Sequence, residues 1–126
     1  MNTAFESLTG RSLEWMGIHH SARGDFTDLA CHVVSFVSDD ECRVTVDGNL
    51  VAEGPYTYTR MNARIAVLIY RPNVYQGRSG VVLYATLDFE ELTDRAVILA
   101  DGKPLAVAQG SFREVANPAQ PATGWK

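Results

Sequence analysis

Residues 42–53, with the sequence CRVTVDGNLVAE, indicate most clearly how the chain folds. Asp47-Gly48-Asn49 is the strongest turn signal in the chain, because Asp-Gly supplies the positive φ angles that a tight hairpin requires. A short β-rich strand, residues 42–46, comes before this turn. Residues 50–53 form a second short strand or a linking segment. The stretch therefore predicts an antiparallel hairpin.

The same rhythm of short strands and turns continues on both sides of this hairpin. No segment carries twelve or more residues of helical periodicity with caps, and the best helix candidate is one short turn over residues 2–8. Residues 90–95 are expected to form a polar connection or a single helical turn. The other predicted strands are residues 11–19, 28–37, 56–60, 64–70, 81–89, 96–100 and 105–115. About eight strands with short connections predict an all-β, antiparallel up-and-down β-barrel with a short N-terminal helical turn.

Length and charge limit what this barrel can do. The 126 residues fit one domain, which we place at residues 1–116, followed by a flexible Pro- and Ala-rich C-terminal tail at 117–126. A net charge of −4 argues against a nucleic-acid partner, because phosphate binding needs an excess of Lys and Arg. The apolar runs are too short for a bilayer, and the first residues lack the basic and apolar regions of a signal peptide. We therefore expect no membrane partner and a cytoplasmic location.

Two cysteines, Cys31 and Cys42, are expected to be reduced thiols that behave as small hydrophobic residues. A disulfide across a hairpin is the alternative. Their spacing fits no zinc signature, and the adjacent His19 and His20 point to opposite faces of a strand. With His32 as the third histidine, the sequence predicts no metal site and no cofactor.

The tyrosines fall where a ligand-holding interior would need them. Three predicted strands have one face that mixes aromatic, small and polar side chains, and these faces carry Tyr56, Tyr58, Tyr70 and Tyr84. Aromatic rings in a barrel interior supply apolar area, while a few polar groups fix the orientation of a ligand. A solvent-exposed face is the alternative for each strand. Trp15 is expected to fill the closed end of the barrel. The candidate ligand-binding residues are Trp15, Tyr56, Arg64, Tyr70, Arg78 and Tyr84.

The loop at residues 71–80 lies at one rim of the predicted barrel. Arg71 and Arg78, with Tyr75 between them, have the chemistry to bind a carboxylate or a phosphate. A solvated loop without a binding role is the alternative.

Acid–base chemistry has three candidate residues. Histidine is a common general acid or base, which makes His20 a candidate, and Glu53 comes shortly before Tyr58, so a carboxylate and a phenol would lie near each other. We therefore take His20, Tyr58 and Glu53 as the candidate catalytic residues. The alternative for each is a structural side chain with no chemical role. No nucleophile-elbow, phosphate-loop or dinucleotide-binding motif is present.

The opening Leu8-Thr9-Gly10-Arg11, followed by Trp15, resembles the Gly-to-Trp start of calycin and lipocalin-type barrels. The rhythm of residues 56–89 is similar to that of small lipocalin-like bacterial proteins, which include the MoaF-like family and the related phenolic acid decarboxylases. This resemblance implies a lipocalin-like barrel. In the decarboxylases a Tyr-x-Tyr pair, an Arg and a Glu handle the carboxylate of a hydroxycinnamate. The resemblance assigns these roles to Tyr56 and Tyr58, Arg64 and Glu53.

Three functions remain open at this point. The first is a lipocalin-like protein that binds an aromatic, carboxylated or lipophilic small molecule in its interior. The second is a cofactor-independent lyase, hydratase or isomerase that uses Tyr, His and Glu in the same pocket. The third is an interaction module with a filled interior. The protein could form a homodimer in each case.

Overall fold

Eight antiparallel strands close on themselves in the computed structural model, which describes residues 5–21 and 29–116. Each strand pairs with the next one in sequence, and the last pairs with the first, so the order is that of an up-and-down barrel. The predicted fold class is confirmed. The strands are β1 (Ser12–His20), β2 (Leu29–Phe36), β3 (Glu41–Val46), β4 (Asn49–Arg60), β5 (Ile65–Tyr70), β6 (Val81–Asp88), β7 (Thr93–Ala100) and β8 (Lys103–Val115).

The hairpin at Asp47-Gly48 forms as the sequence predicts. Asp47 and Gly48 have φ angles of 53° and 80°, the left-handed values that a two-residue hairpin turn needs. Strand β4 then runs without interruption to Arg60 and joins two segments that the sequence separates at Gly54-Pro55. Pro55 has no N–H, but its carbonyl oxygen accepts a hydrogen bond from the Arg71 N–H at 3.0 Å, so pairing continues through it.

The barrel closes where β1 pairs with β8, from Ser12 opposite Val115 to His20 opposite Val107. Midway along this pairing Gly17 lies opposite Gly110, and a Cβ atom on Gly110 would lie 2.1 Å from the carbonyl oxygen of Met16. Only glycine permits the two backbones to approach this closely. The small residues at this position therefore allow the barrel to close.

The structure corrects two local predictions. The helical turn expected over residues 2–8 is absent from the described residues 5–8, which form a turn and a bend, and residues 1–4 lie outside the described part. The connection expected at 90–95 is shorter, because β7 already begins at Thr93. The tail at 117–126 lies outside the described residues, so the proposed domain limit stays a prediction.

One end of the barrel is filled by large side chains. Phe5, from the segment before β1, stacks on Phe89 with ring centroids 4.4 Å apart, and Phe89 packs edge-on against Phe112 at 5.7 Å. Leu13 and Leu87 are fully buried in the same cluster. Burial of such large apolar groups supplies most of the stability of a small barrel, so we call this the closed end. No helix among residues 5–21 and 29–116 is long and apolar enough to cross a membrane.

Candidate functional site

The opposite half of the barrel is hollow. It contains a cavity of about 940 Å³, which opens at the end that carries the β5–β6 connection. Several of the side chains that line it are small: Ala52, Ala85, Ala96 and Ala108, together with Gly17. Closer to the closed end β6 and β8 place Leu87 and Phe112 inward instead. The change in side-chain size along β6 and β8 therefore helps to leave space for the cavity.

The wall of the cavity is mostly apolar with a few polar groups. Every strand contributes at least one aliphatic or aromatic residue to it, and polar side chains are interspersed among them. The apolar members used below are Trp15, Val34, Val44, Leu68, Leu83 and Ala96, and the polar members are His32, Cys42, Tyr70, Tyr75, Arg78 and Asp94.

Residues 71–80, which we call the mouth loop, lie over the open end. The loop contains a small hairpin in which Tyr75 and Arg78 exchange backbone hydrogen bonds of 2.8 and 3.0 Å, with Gly77 at a φ of 81°. Its first residues are tied to β4, because the Asn73 N–H donates to the Glu53 carbonyl at 2.8 Å. Both Tyr75 and Arg78 line the cavity, so the loop forms part of the binding surface.

Tyr75 connects the mouth loop to the other side of the barrel. Its hydroxyl lies 2.5 Å from Nε2 of His19, near the end of β1. Strand β1 is four strands away from β5 in an eight-stranded ring, so this hydrogen bond crosses the mouth. Burial raises the pKa of the Tyr75 hydroxyl, and the negative charge of Asp94 raises it further, so the phenol stays protonated at neutral pH.

Asp94 is a carboxylate in the cavity wall. It points inward from β7, on the same face as Ala96 and Ile98, and it is partly buried. Burial raises the pKa of the Asp94 carboxyl to about 6, because the charged form loses solvation and no neighbour compensates for this loss. Among residues 5–21 and 29–116 its carboxylate has no hydrogen bond and no ion pair.

Three further polar groups belong to cavity-lining residues. Burial raises the pKa of the Cys42 thiol to about 12 and also raises the pKa of the Tyr70 hydroxyl. The Tyr70 hydroxyl and Nε1 of Trp15 are buried and have no hydrogen-bond partner within the described part of the chain. A buried donor without a partner costs about 1–3 kcal/mol.

Three of the predicted site residues lie at the cavity. Trp15 packs on Phe112 with ring centroids 4.7 Å apart and forms the floor, Tyr70 lies in the wall, and Arg78 lies at the mouth. Their roles in ligand binding stay predictions.

Two more point inward but lie at the closed end. The Tyr56 hydroxyl donates to the Ser38 carbonyl at 2.6 Å, and the Tyr58 hydroxyl donates to the Phe5 carbonyl at 2.5 Å. Burial raises the pKa of both hydroxyls. These contacts hold the N-terminal segment and the β2–β3 connection in place, away from the cavity wall.

The remaining four lie on the outside. The side chain of Glu53 pairs with Arg43 at 3.4 Å, and Arg64 pairs with Asp88 at 2.8 Å at the closed end. His20 is exposed at the end of β1. Tyr84 is 39% exposed, so the expectation that it faces the interior is wrong. The structure therefore does not bring His20, Tyr58 and Glu53 together.

Asp94 is not among the residues that the sequence predicts for the site, and Tyr75 enters only as part of a loop that could bind a carboxylate or a phosphate. The alternation Thr93-Asp94-Arg95-Ala96-Val97-Ile98 does place Asp94 on the inward face, but the sequence predicts a connection at residues 90–95. His19 rather than His20 points inward, because Trp15 precedes it by an even number of residues on the same face.

Comparisons with known proteins give no relative for this chain: no family model, no curated protein and no solved structure matches it. Among the described residues, no group of three His, Cys, Asp or Glu side chains is placed to hold a metal ion.

Proposed function

We propose that the protein binds a small molecule with an apolar, aromatic-sized body inside the open half of a lipocalin-like barrel. The observation that carries this proposal is the cavity of about 940 Å³ in a wall built from small and apolar side chains. Cavities that hold small ligands typically measure about 300–1,000 Å³ and combine apolar surface with a few polar groups.

The wall chemistry supports an apolar body rather than a highly polar one. Val34, Val44, Leu68 and Leu83 present aliphatic surface around the cavity, and the Trp15 ring closes its floor. Burial of apolar ligand area against such a wall favours binding by roughly 25 cal/mol per Å². A carboxylated ligand has Arg78 at the mouth as its counter-charge, but it would also be repelled by Asp94 in the wall.

The test is titration with the neutral fluorescent probe N-phenyl-1-naphthylamine, whose emission rises in apolar surroundings. The variant Ala96→Phe fills the cavity from the inward face of β7. Its matched control is Val97→Phe, the next residue along the chain, which points outward and is 45% exposed. We expect saturable binding in the wild type and in Val97→Phe, and at least about tenfold weaker binding in Ala96→Phe.

Equal binding by the two variants contradicts a ligand in the barrel interior. Ala85→Leu is a second blocking variant on β6, with a smaller side chain that is easier to accommodate. Both blocking variants should keep the circular dichroism of the wild type, since each side chain points into open space.

A second candidate is cofactor-independent acid–base catalysis, and one observation favours it. His19 and Tyr75 form a hydrogen-bonded pair of 2.5 Å at the mouth, where Tyr75 lines the cavity. Such a pair can move a proton to or from a bound substrate. The test is loss of hydroxycinnamate absorbance on incubation with the protein. Activity that disappears in His19→Ala and Tyr75→Phe supports catalysis, and turnover unchanged in both contradicts this assignment.

A further inference from the structure

The carboxylate of Asp94 is a feature of the cavity wall that a purely apolar ligand would leave without a partner. It lies in the wall of a cavity that is otherwise mostly apolar, on the inward face of β7 near the start of that strand. A carboxylate in such surroundings loses solvation and gains nothing in return unless a partner is present.

The strand register shows why the carboxylate is accessible from inside. Asp94 pairs with Leu87 on one side and with Gly110 on the other, and Gly110 pairs in turn with Gly17. Directly paired residues share a face of the sheet, so the neighbours of Asp94 toward β1 are two residues without side chains. The inner wall beside the carboxylate is therefore bare backbone.

The neighbouring charges do not neutralise it. Within residues 5–21 and 29–116, no Lys, Arg or His lies within ion-pair distance of Asp94, and no donor bonds to its oxygens. Arg78 and Asp94 both act on Tyr75: beyond the effect of burial, the charge of Asp94 raises the pKa of the Tyr75 hydroxyl and that of Arg78 lowers it. The Arg78 guanidinium donates to the Gln76 carbonyl at 3.1 Å in the mouth loop.

We propose, on the basis of the ligand-binding function above, that the occupant of the cavity carries a protonated amine that pairs with Asp94. The apolar body of such a molecule lies against Val34, Leu68 and Trp15, and its ammonium group donates charge-assisted hydrogen bonds to the carboxylate. Trp15 and Tyr75 also line the cavity, and aromatic rings in general favour a cation over an anion.

A bound ammonium group would offset the loss of solvation that the Asp94 carboxylate suffers on burial. In the empty protein Asp94 resists ionisation because it is desolvated, and a bound ammonium stabilises the ionised form. The polar group of the ligand then determines its affinity relative to other ligands, since the apolar wall can hold many apolar groups of similar size. An amine is preferred over an alcohol of the same shape, and a carboxylate is rejected by repulsion.

Three probes with one ring system and different head groups test the inference: 1-naphthylmethylamine, 1-naphthalenemethanol and 1-naphthoic acid. Each is titrated by calorimetry at pH 7.5 into the wild type, Asp94→Asn and Asp40→Asn. Asp40 is an exposed aspartate between β2 and β3 at the closed end, so its substitution makes the same change in net charge far from the cavity.

In the wild type and in Asp40→Asn we expect the amine to bind at least about tenfold tighter than the alcohol, and the acid to bind weakest. In Asp94→Asn we expect the amine to lose that advantage while the affinity for the alcohol changes by less than about twofold. The wild-type ranking alone already tests the inference, so the result does not depend on the variant.

Equal affinities for amine and alcohol in the wild type overturn the amine inference and leave the proposed binding function intact. An amine preference that survives in Asp94→Asn also overturns it, because another group would then hold the cation. If none of the three probes binds and N-phenyl-1-naphthylamine does not bind either, the binding function itself is contradicted.

Discussion

His19 on β1 and Tyr75 in the mouth loop are joined by a hydrogen bond of 2.5 Å that crosses the open end of the barrel. The two residues lie 56 positions apart in sequence and come from opposite sides of the strand ring. The bond therefore couples the position of the mouth loop to β1 at the open end of the cavity.

Removal of the Tyr75 hydroxyl is expected to speed ligand exchange. Tyr75→Phe keeps the ring in the cavity wall but loses a hydrogen bond of about 1 kcal/mol net, so the loop opens more often. We expect the dissociation rate of N-phenyl-1-naphthylamine to rise about threefold to tenfold in stopped-flow fluorescence. Tyr84→Phe, on the outer face, is the matched control. Identical rates in Tyr75→Phe and the wild type contradict a role for this bond at the mouth.

Replacement of Gly110 is expected to disturb barrel closure. In Gly110→Ala the added Cβ would lie 2.1 Å from the Met16 carbonyl oxygen and 2.8 Å from the Gly17 Cα, and both are backbone atoms that cannot move aside freely. We expect a loss of about 2–4 kcal/mol in the free energy of unfolding, measured with urea. Ser111→Ala, one residue later and exposed, should change it by less than about 0.5 kcal/mol. A fully stable Gly110→Ala variant would show that β1 and β8 pack less tightly than described.

The Asp94 carboxyl is expected to make stability depend on pH in a direction opposite to that of most aspartates. Its pKa is about 6 in the folded protein against an ordinary value of 3.8, so the folded state holds the proton more firmly. Stability is then highest below pH 4 for this group and falls as pH rises to about 6. Asp94→Asn should remove this dependence and stabilise the ligand-free protein at pH 7.5 by about 1–2 kcal/mol.

Urea unfolding at pH 4.5, 6 and 7.5 measures this effect, with Asp40→Asn as the control that keeps the wild-type slope. Burial raises the pKa of the nearby Tyr75 hydroxyl, so this phenol stays protonated across that range. If Asp94→Asn is less stable than the wild type at pH 7.5, the carboxylate has a favourable partner and the account of its environment is wrong.

The Cys42 thiol is expected to react slowly and to be shielded by ligand. It lines the cavity, and burial raises its pKa to about 12, so its thiolate is scarce at pH 8. In a Cys31→Ser background, alkylation by iodoacetamide followed by mass spectrometry should be at least about 100-fold slower than that of free cysteine. Saturation with N-phenyl-1-naphthylamine should slow it further. A rate that the probe leaves unchanged would place the probe outside the cavity.

Strand number and order could be predicted from the sequence, because turn residues and a period of two are local signals. Asp47-Gly48 marks a hairpin by its own backbone preference, and the structure confirms it. Which face of a strand points into the barrel, by contrast, is not determined by local sequence. Tyr84 pairs with Ile69 and Leu83 pairs with Tyr70, so the register with β5 decides that Leu83 faces inward and Tyr84 outward. The alternation of side chains along β6 alone predicts two faces of similar composition, and it does not show how β6 pairs with β5.

The candidate site could be predicted only in part for the same reason. Trp15 and Tyr70 were identified because aromatic residues are prominent in a strand pattern, whereas Tyr75 lies in a loop without periodicity. Asp94 could not be predicted from the sequence because a charged residue in the polar stretch 90–95 resembles a connection, and its pairing with Leu87 and Gly110 shows that it lies in a strand. The contact between His19 and Tyr75 depends on closure of the whole ring.

Methyl NMR can show directly whether a small molecule occupies the open half of the barrel. N-phenyl-1-naphthylamine is titrated into protein with labelled methyl groups. We expect ring-current shifts and intermolecular NOEs at the inward methyl groups of Val34, Val44 and Leu68, and none at the outward Val97 and Val107. Shifts confined to the outward methyl groups, with the inward ones unmoved at saturation, would contradict the account.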